Sequence, residues 1–210
     1  MDLLLLAALL LAVLVWSLKS RRERGRIGLL AAHLRPYDIE ALMQTLSEGY
    51  LRALGENDVQ RRQAIWTVLE PSERRLAEQF ARFASDFARL PTERTRIVTL
   101  AWPLAWLLEQ AGGPAAWLER SSIDMRALVQ LHALALSRAA QPTEGTSASA
   151  KAYTLLAEIL LMQHSCHWYC KSQAVACARL LARHQTSYRK VLDSVDPATR
   201  QDYTGLTGQA

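Results

Sequence analysis

Three cysteines and three of the five histidines crowd into one stretch of the chain: His164, Cys166, His167, Cys170, Cys177 and His184. Imidazole and thiolate are the usual ligands of zinc, and thiols are also the side chains that exchange disulfides and sense oxidants. Cys166 and Cys170, four residues apart, could each give a thiolate to one ion, with His167 or a residue of another helix completing a tetrahedral set. The spacing argues against this reading. Structural knuckles place two residues between their cysteines on a turn, whereas three separate this pair. On an unbroken helix, moreover, Cys177 lies about 10 Å farther along the axis than Cys170, too far for the same ion.

At 100° per residue, Cys166, Cys170, Cys177 and His184 fall within about 40° of one another, and Leu156, Ile159, Gln163 and Leu181 share their stripe. A free cysteine packs as a small buried hydrophobe. The stripe from Leu156 to His184 is therefore expected to be the core seam of a helical bundle, with inert thiols. A metal- or redox-responsive centre built from the six residues is the alternative, and Cys166, His167 and Cys170 are its candidate ligands. An odd number of cysteines, all between 166 and 177, fits a reducing compartment better than a disulfide framework.

The stretch lacks the motifs of catalysis. Nowhere in the chain is there a phosphate-cradling G-x-x-x-x-G-K-[ST], a G-x-G-x-x-G, an H-E-x-x-H or a G-x-S-x-G. No catalytic residue, cofactor or small-molecule substrate is read from the sequence.

What positions everything else is the N-terminus. Leu3 to Leu18 is apolar except for Ser17, and Lys19, Arg21, Arg22, Arg24 and Arg26 follow at once, interrupted by a single acid, Glu23. As a helix the run spans about 24 Å at about 1.5 Å per residue, slightly less than a hydrocarbon core of about 30 Å, a gap that snorkelling lysine and arginine stems can close. A cleaved secretory signal is disfavoured because no basic segment precedes the run and no small-residue cleavage site follows it. Basic residues collect on the cytoplasmic side, so the N-terminus is expected outside and residues 27–210 in the cytoplasm, at the inner membrane if the cell is bacterial. Trp16 suits an interfacial position.

The net charge of +5 belongs mostly to this junction. Five basic residues and one acid lie at 19–26 and Asp2 alone precedes them, which leaves +2 for residues 27–210. With so little positive charge and no reader module, nucleic acid is not an expected partner. The bilayer and an unidentified protein are.

Beyond residue 26 the pattern is helical throughout. Ile39, Leu42, Met43, Leu46, Tyr50, Leu51 and Leu54 recur at helical spacing, with Gly55 ending the helix by a positive φ. Asn57 or Asp58 caps a second helix with Val59, Ile65, Trp66 and Leu69 inward and Arg61 and Arg62 outward. Pro71 is expected to start a third, whose stripe is Leu76, Phe80, Phe83, Phe87 and Leu90. The run from Ile97 to Leu108, with Trp102, Pro103 and Trp106, reads either as buried core or as a segment at the membrane interface. A short helix near 115–119 and a capped one from about Ser122 to Ala140 follow.

Gln141 to Ser149 is a loop by composition and could divide two subdomains. Ala150 to Ala182 contains neither proline nor glycine, and its first half, Tyr153 to Met162, is apolar on nearly every side except Glu158, as a central helix should be. His33 reads as a packing or surface histidine. The sequence thus predicts an all-α chain: an anchor with its basic cluster over 1–26, then a multi-helix bundle over 27–210 acting as a structural or interaction module at the cytoplasmic face.

Overall fold

The computed structural model describes residues 2–99, 122–141 and 145–208. It is an all-α structure in which one long apolar helix leads into a helical bundle. Helix α1 runs unbroken from Asp2 to Leu34, about 50 Å at about 1.5 Å per residue. Its first half is bare, with Leu3 80% and Trp16 69% exposed, and among the described residues it is the one helix long and apolar enough to cross a membrane. Its second half is packed. Leu30 is buried, Leu29 and Leu34 lean on the core, and His33 donates through Nδ1 to the Leu29 carbonyl (2.8 Å) with its ring edge-on to Phe87.

Helices α2 (Ile39–Gly55) and α3 (Val59–Phe87) form an antiparallel pair. Ile39, Leu42, Leu46 and Tyr50 of α2 are buried as their spacing predicts, while Leu51 is exposed. Gly55 has no positive φ; α2 stops because Glu56 turns extended. The side chain of Asp58 then caps α3 by accepting from the amides of Gln60 and Arg61. On α3 Leu69 is buried and Ile65 and Trp66 pack at the core's edge, but Val59 is exposed.

Pro71 does not begin a new helix. It sits inside α3, on an exposed face where its missing N–H and the freed carbonyl four residues earlier meet solvent. The buried stripe passes through it in register, from Leu69 and Glu73 to Leu76, Phe80, Phe83 and Phe87, so packing on both sides holds the helix together where local propensity would end it. Gly49 of α2 marks the closest approach of the pair, since a Cβ there would stand 2.4 Å from Leu69 Cδ2.

A one-turn helix α4 (Thr92–Thr95) delivers the chain to a short β-ribbon absent from the sequence prediction. Strand β1 (Arg96–Val98) pairs antiparallel with β2 (Ser122–Asp124), with Ile97 opposite Ile123 and both side chains buried. Three residues are too few for alternation to show in a sequence. Of the Ile97 to Leu108 run only Ile97, Val98 and Thr99 fall within the described residues, and the helix expected near 115–119 lies outside them.

Helix α5 begins at Met125, not Ser122, and runs to Ala140, because Asp124 rather than a serine caps it. Asp124 accepts from the Arg126 amide, pairs with the Arg126 guanidinium at 2.6 Å and receives the Thr95 hydroxyl. Helix α6 (Ala148–Cys170) is capped by Ser147, so the loop expected over 141–149 ends two residues early; the helix is the central element, packed on α5, α1 and α2.

The long proline-free stretch then proves to be two helices. Lys171 departs from helical φ/ψ, and Ser172 caps a new helix, α7 (Gln173–His184), which folds back onto α6. Helix α8 (Tyr188–Ser194) and helix α9 (Pro197–Thr207) complete the bundle; Ser187 and Asp196 cap them, and Pro197 occupies the first-turn position.

Candidate functional site

The junction of α1 with the bundle is built from several charged and aromatic contacts. On α1, residues 19, 23, 26 and 30 lie along one face, and the charged members of that stripe are engaged by the bundle. Glu23 binds Lys171 at 2.6 Å, with Lys19 at 3.9 Å on its other side. Arg26 donates to the carbonyls of Tyr169 (3.1 Å) and Arg96 (2.6 Å) while its guanidinium lies 5.3 Å from the Tyr169 ring centroid. Tyr169 is fixed in turn by donating its hydroxyl to the Arg94 carbonyl at 2.7 Å.

The basic cluster expected to face water and headgroups is therefore divided. Arg21 and Arg24 are exposed, whereas Arg26 belongs to the bundle's own structure. These contacts cross the boundary drawn between residues 26 and 27.

Beside this junction a groove of about 760 Å3 opens between α1 and α2 on one side and α6 and α7 on the other. Ile27, Leu30 and Leu34 of α1 and Met43 of α2 line it, and Cys166 and Cys170 face it from α6. His167, Arg179, Arg183 and His184 stand along the opposite edge. The helix break thus sorts the six Cys and His residues into two groups. Cys166, His167, Cys170 and His184 border the groove, while His164 and Cys177 meet on another side of α6, Nε2 to Sγ at 3.3 Å.

The expected seam holds along α6, where Ile159 is buried and Leu156 packs against the core, and fails on α7, where Leu181 is 56% exposed and His184 is at the surface. A single helical stripe cannot survive a chain reversal at Lys171.

The electrostatics of these groups are those of burial. Burial pushes the Cys166 thiol up to about 12, with Cys170 adding to the effect, and raises Cys170 and Cys177 as well. It lowers His164 to about 4, and lowers His167, where Arg179 and Arg183 add repulsion. At neutral pH the thiols are protonated and these imidazoles neutral, which is the unreactive state of a thiol. Among the described residues no three His, Cys, Asp or Glu side chains are grouped so as to hold a metal ion.

Two buried polar sites were not read from the sequence. On the α3 side, Glu73, 5% exposed, accepts the Tyr50 hydroxyl at 2.8 Å and pairs with Lys151. Expecting a helix to start at Pro71 hid it, because a carboxylate two residues into a first turn reads as a solvated end and not as part of the inward stripe. On the other side, His132 Nε2 lies 2.8 Å from Ser165 Oγ, both fully buried.

A serine beside a histidine has the composition of a nucleophile and its base, but the surroundings argue against that role. The Ser165 hydroxyl has the Leu161 carbonyl at 3.1 Å as an acceptor and the Tyr203 hydroxyl at 3.4 Å beside it, and His132 Nδ1 has no partner to orient the ring as a base. Burial, followed by repulsion from His164, lowers His132 to about 3. Closed off from solvent, the pair fills a polar position in the core.

Glu158, the one charge in the apolar stretch Tyr153 to Met162, is fully buried. Burial raises it to about 7; one oxygen accepts from the Asp196 amide at 3.0 Å, and the other has no partner.

By fold the chain is an all-α protein with one long apolar N-terminal helix and a helical bundle continuous with it. No protein-family model, curated protein or solved structure matches it.

Proposed function

We propose that the chain is a single-pass membrane protein whose bundle is held at the cytoplasmic face as a non-catalytic interaction module for another protein. The observation that carries this reading is the continuity of α1. Its exposed apolar half passes without a hinge into a half clamped by Glu23, Arg26 and Leu30. Arg26 is eight residues past Leu18, about 12 Å along the helix, so the bundle sits against the headgroups in one orientation instead of swinging on a tether. A module held this way offers a partner a defined face at a defined height.

The orientation rests on the five basic residues after Leu18. A reporter active only outside the cytoplasm, fused after Ala210, is expected to stay silent. Strong activity there refutes the orientation and the cytoplasmic placement together. The metal- or redox-responsive alternative has less support, since the thiols that share the groove are held protonated.

A further inference from the structure

The groove beside α1 has a chemical polarity of its own. Its floor is apolar, from Ile27, Leu30 and Leu34 to Phe80 and Met162. Arg179 and Arg183, one turn apart on α7, are exposed at its edge, and neither makes a salt bridge with a described residue. Across from them α2 presents Glu40 and Glu48.

We propose that this groove binds one anionic phospholipid of the same membrane, its acyl chain along α1 and its phosphate on Arg179 and Arg183. The inference rests on the membrane placement proposed above. A volume of about 760 Å3 falls within the range of roughly 300–1,000 Å3 of small-molecule sites. Ile27 is nine residues past Leu18, about 14 Å along α1, while the headgroup layer outside the hydrocarbon takes only about 5–8 Å. The groove therefore begins just beyond the headgroups.

One wall of it is the anchor helix itself, which keeps apolar side chains exposed at Ile27 and Ala31. Between Leu18 and this wall α1 carries residues 19–26, so a chain leaving the leaflet passes along the aliphatic stems of Lys and Arg before it reaches apolar surface. Guanidinium forks match phosphate oxygens two by two, and the carboxylates of Glu40 and Glu48 repel a phosphate from the α2 side. A lipid is favoured over a partner's helix because the source of the ligand adjoins the wall of the site.

The test uses the full chain purified in detergent, where topology plays no part, so failure here leaves the topology reading standing. Native mass spectrometry with added dioleoylphosphatidylglycerol or dioleoylphosphatidylcholine is expected to show a single retained lipid and at least a tenfold preference for the anionic one. Arg179→Glu with Arg183→Glu should abolish the preference. Ala31→Trp, at an exposed position where the indole fills the groove without entering the core, should abolish retention of both lipids with the circular dichroism unchanged.

Arg21→Ala with Arg24→Ala should leave the retained lipid in place, which separates the groove from general attraction to the basic cluster. Equal binding of both lipids by the unaltered chain, retention unaffected by Ala31→Trp, an anionic preference unaffected by the α7 pair, loss of retention in the Arg21 and Arg24 variant, or a co-purified peptide in place of lipid would each overturn the proposal.

Discussion

Arg26 of α1 lies over the ring of Tyr169 of α6, guanidinium to centroid 5.3 Å, and donates to the same residue's carbonyl at 3.1 Å. One residue of the long N-terminal helix thus grips the C-terminal end of the central helix through both its side chain and its backbone. The contact turns two elements far apart in sequence into one body.

Arg26→Ala should weaken the full chain in detergent by about 1–3 kcal/mol, because the carbonyls of Tyr169 and Arg96 lose a charged donor in a partly buried place. Arg26→Lys should rescue little, since an ammonium cannot reproduce the fork or the stacking. Arg24→Ala, on the exposed side, should change stability by less than about 0.5 kcal/mol. Chemical denaturation followed by circular dichroism measures all three. Equal losses at positions 24 and 26 would mean that the clamp contributes nothing.

Lys151 and Glu73 form a pair whose side chains are 19% and 6% exposed. Lys151→Ala leaves the Glu73 carboxylate with the Tyr50 hydroxyl alone and should cost about 3–5 kcal/mol. Glu73→Leu with Lys151→Met should cost far less than the sum of the two single changes, since both charges leave together. Additive losses in denaturant midpoints would contradict this.

Stability should change with pH between about 3 and 7 through groups that act in opposite directions. Glu158 is raised from its ordinary 4.5 to about 7. Its contribution is complete below pH 4.5 and is lost as pH rises to about 7, each pKa unit being worth ~1.4 kcal/mol. His132 and His164 are lowered from 6.5 to about 3 and about 4. Their contribution is present above pH 6.5 and is lost as pH falls toward those values.

Glu158→Gln should therefore gain on the wild type as pH rises through 4.5 to 7 and match its slope below that window. His164→Phe, which keeps a ring against Tyr188, should flatten the acid limb by about one proton. Urea unfolding across the pH range reads both slopes, and parallel profiles for variant and wild type would exclude the assignments.

The thiols should be slow. With Cys166 pushed up to about 12 and Cys170 and Cys177 raised by burial, an alkylating reagent at neutral pH should label the native chain slowly and all three cysteines rapidly after unfolding. Fast native labelling of Cys166 and Cys170, or stoichiometric zinc in the purified chain, would restore the metal- or redox-responsive reading.

Local chemistry was enough to read several features. The apolar run from Leu3 to Leu18, most of the inward positions of α2 and α3 and the centrality of α6 depend on the periodicity or the cap residues of one segment, and they stand where those residues place them, with Leu51 and Val59 as exceptions. Four features needed the tertiary structure. Pro71 is carried inside α3 because Leu69 and Glu73 are packed on either side of it. The β-ribbon exists because Ile97 and Ile123, 26 positions apart in the sequence, share one buried site.

The reversal at Lys171 separates Cys177 from Cys170 and brings it to His164, because α7 finds its burial against α6 rather than beyond it. Arg26, one of five similar basic residues in a row, acquires a distinct role only because Tyr169 and Arg96 arrive beside it. Periodicity reports which face of a segment is apolar. It does not report which distant segment covers that face, and that pairing decides whether a proline breaks a helix, whether thiols share a site and whether a charge faces water.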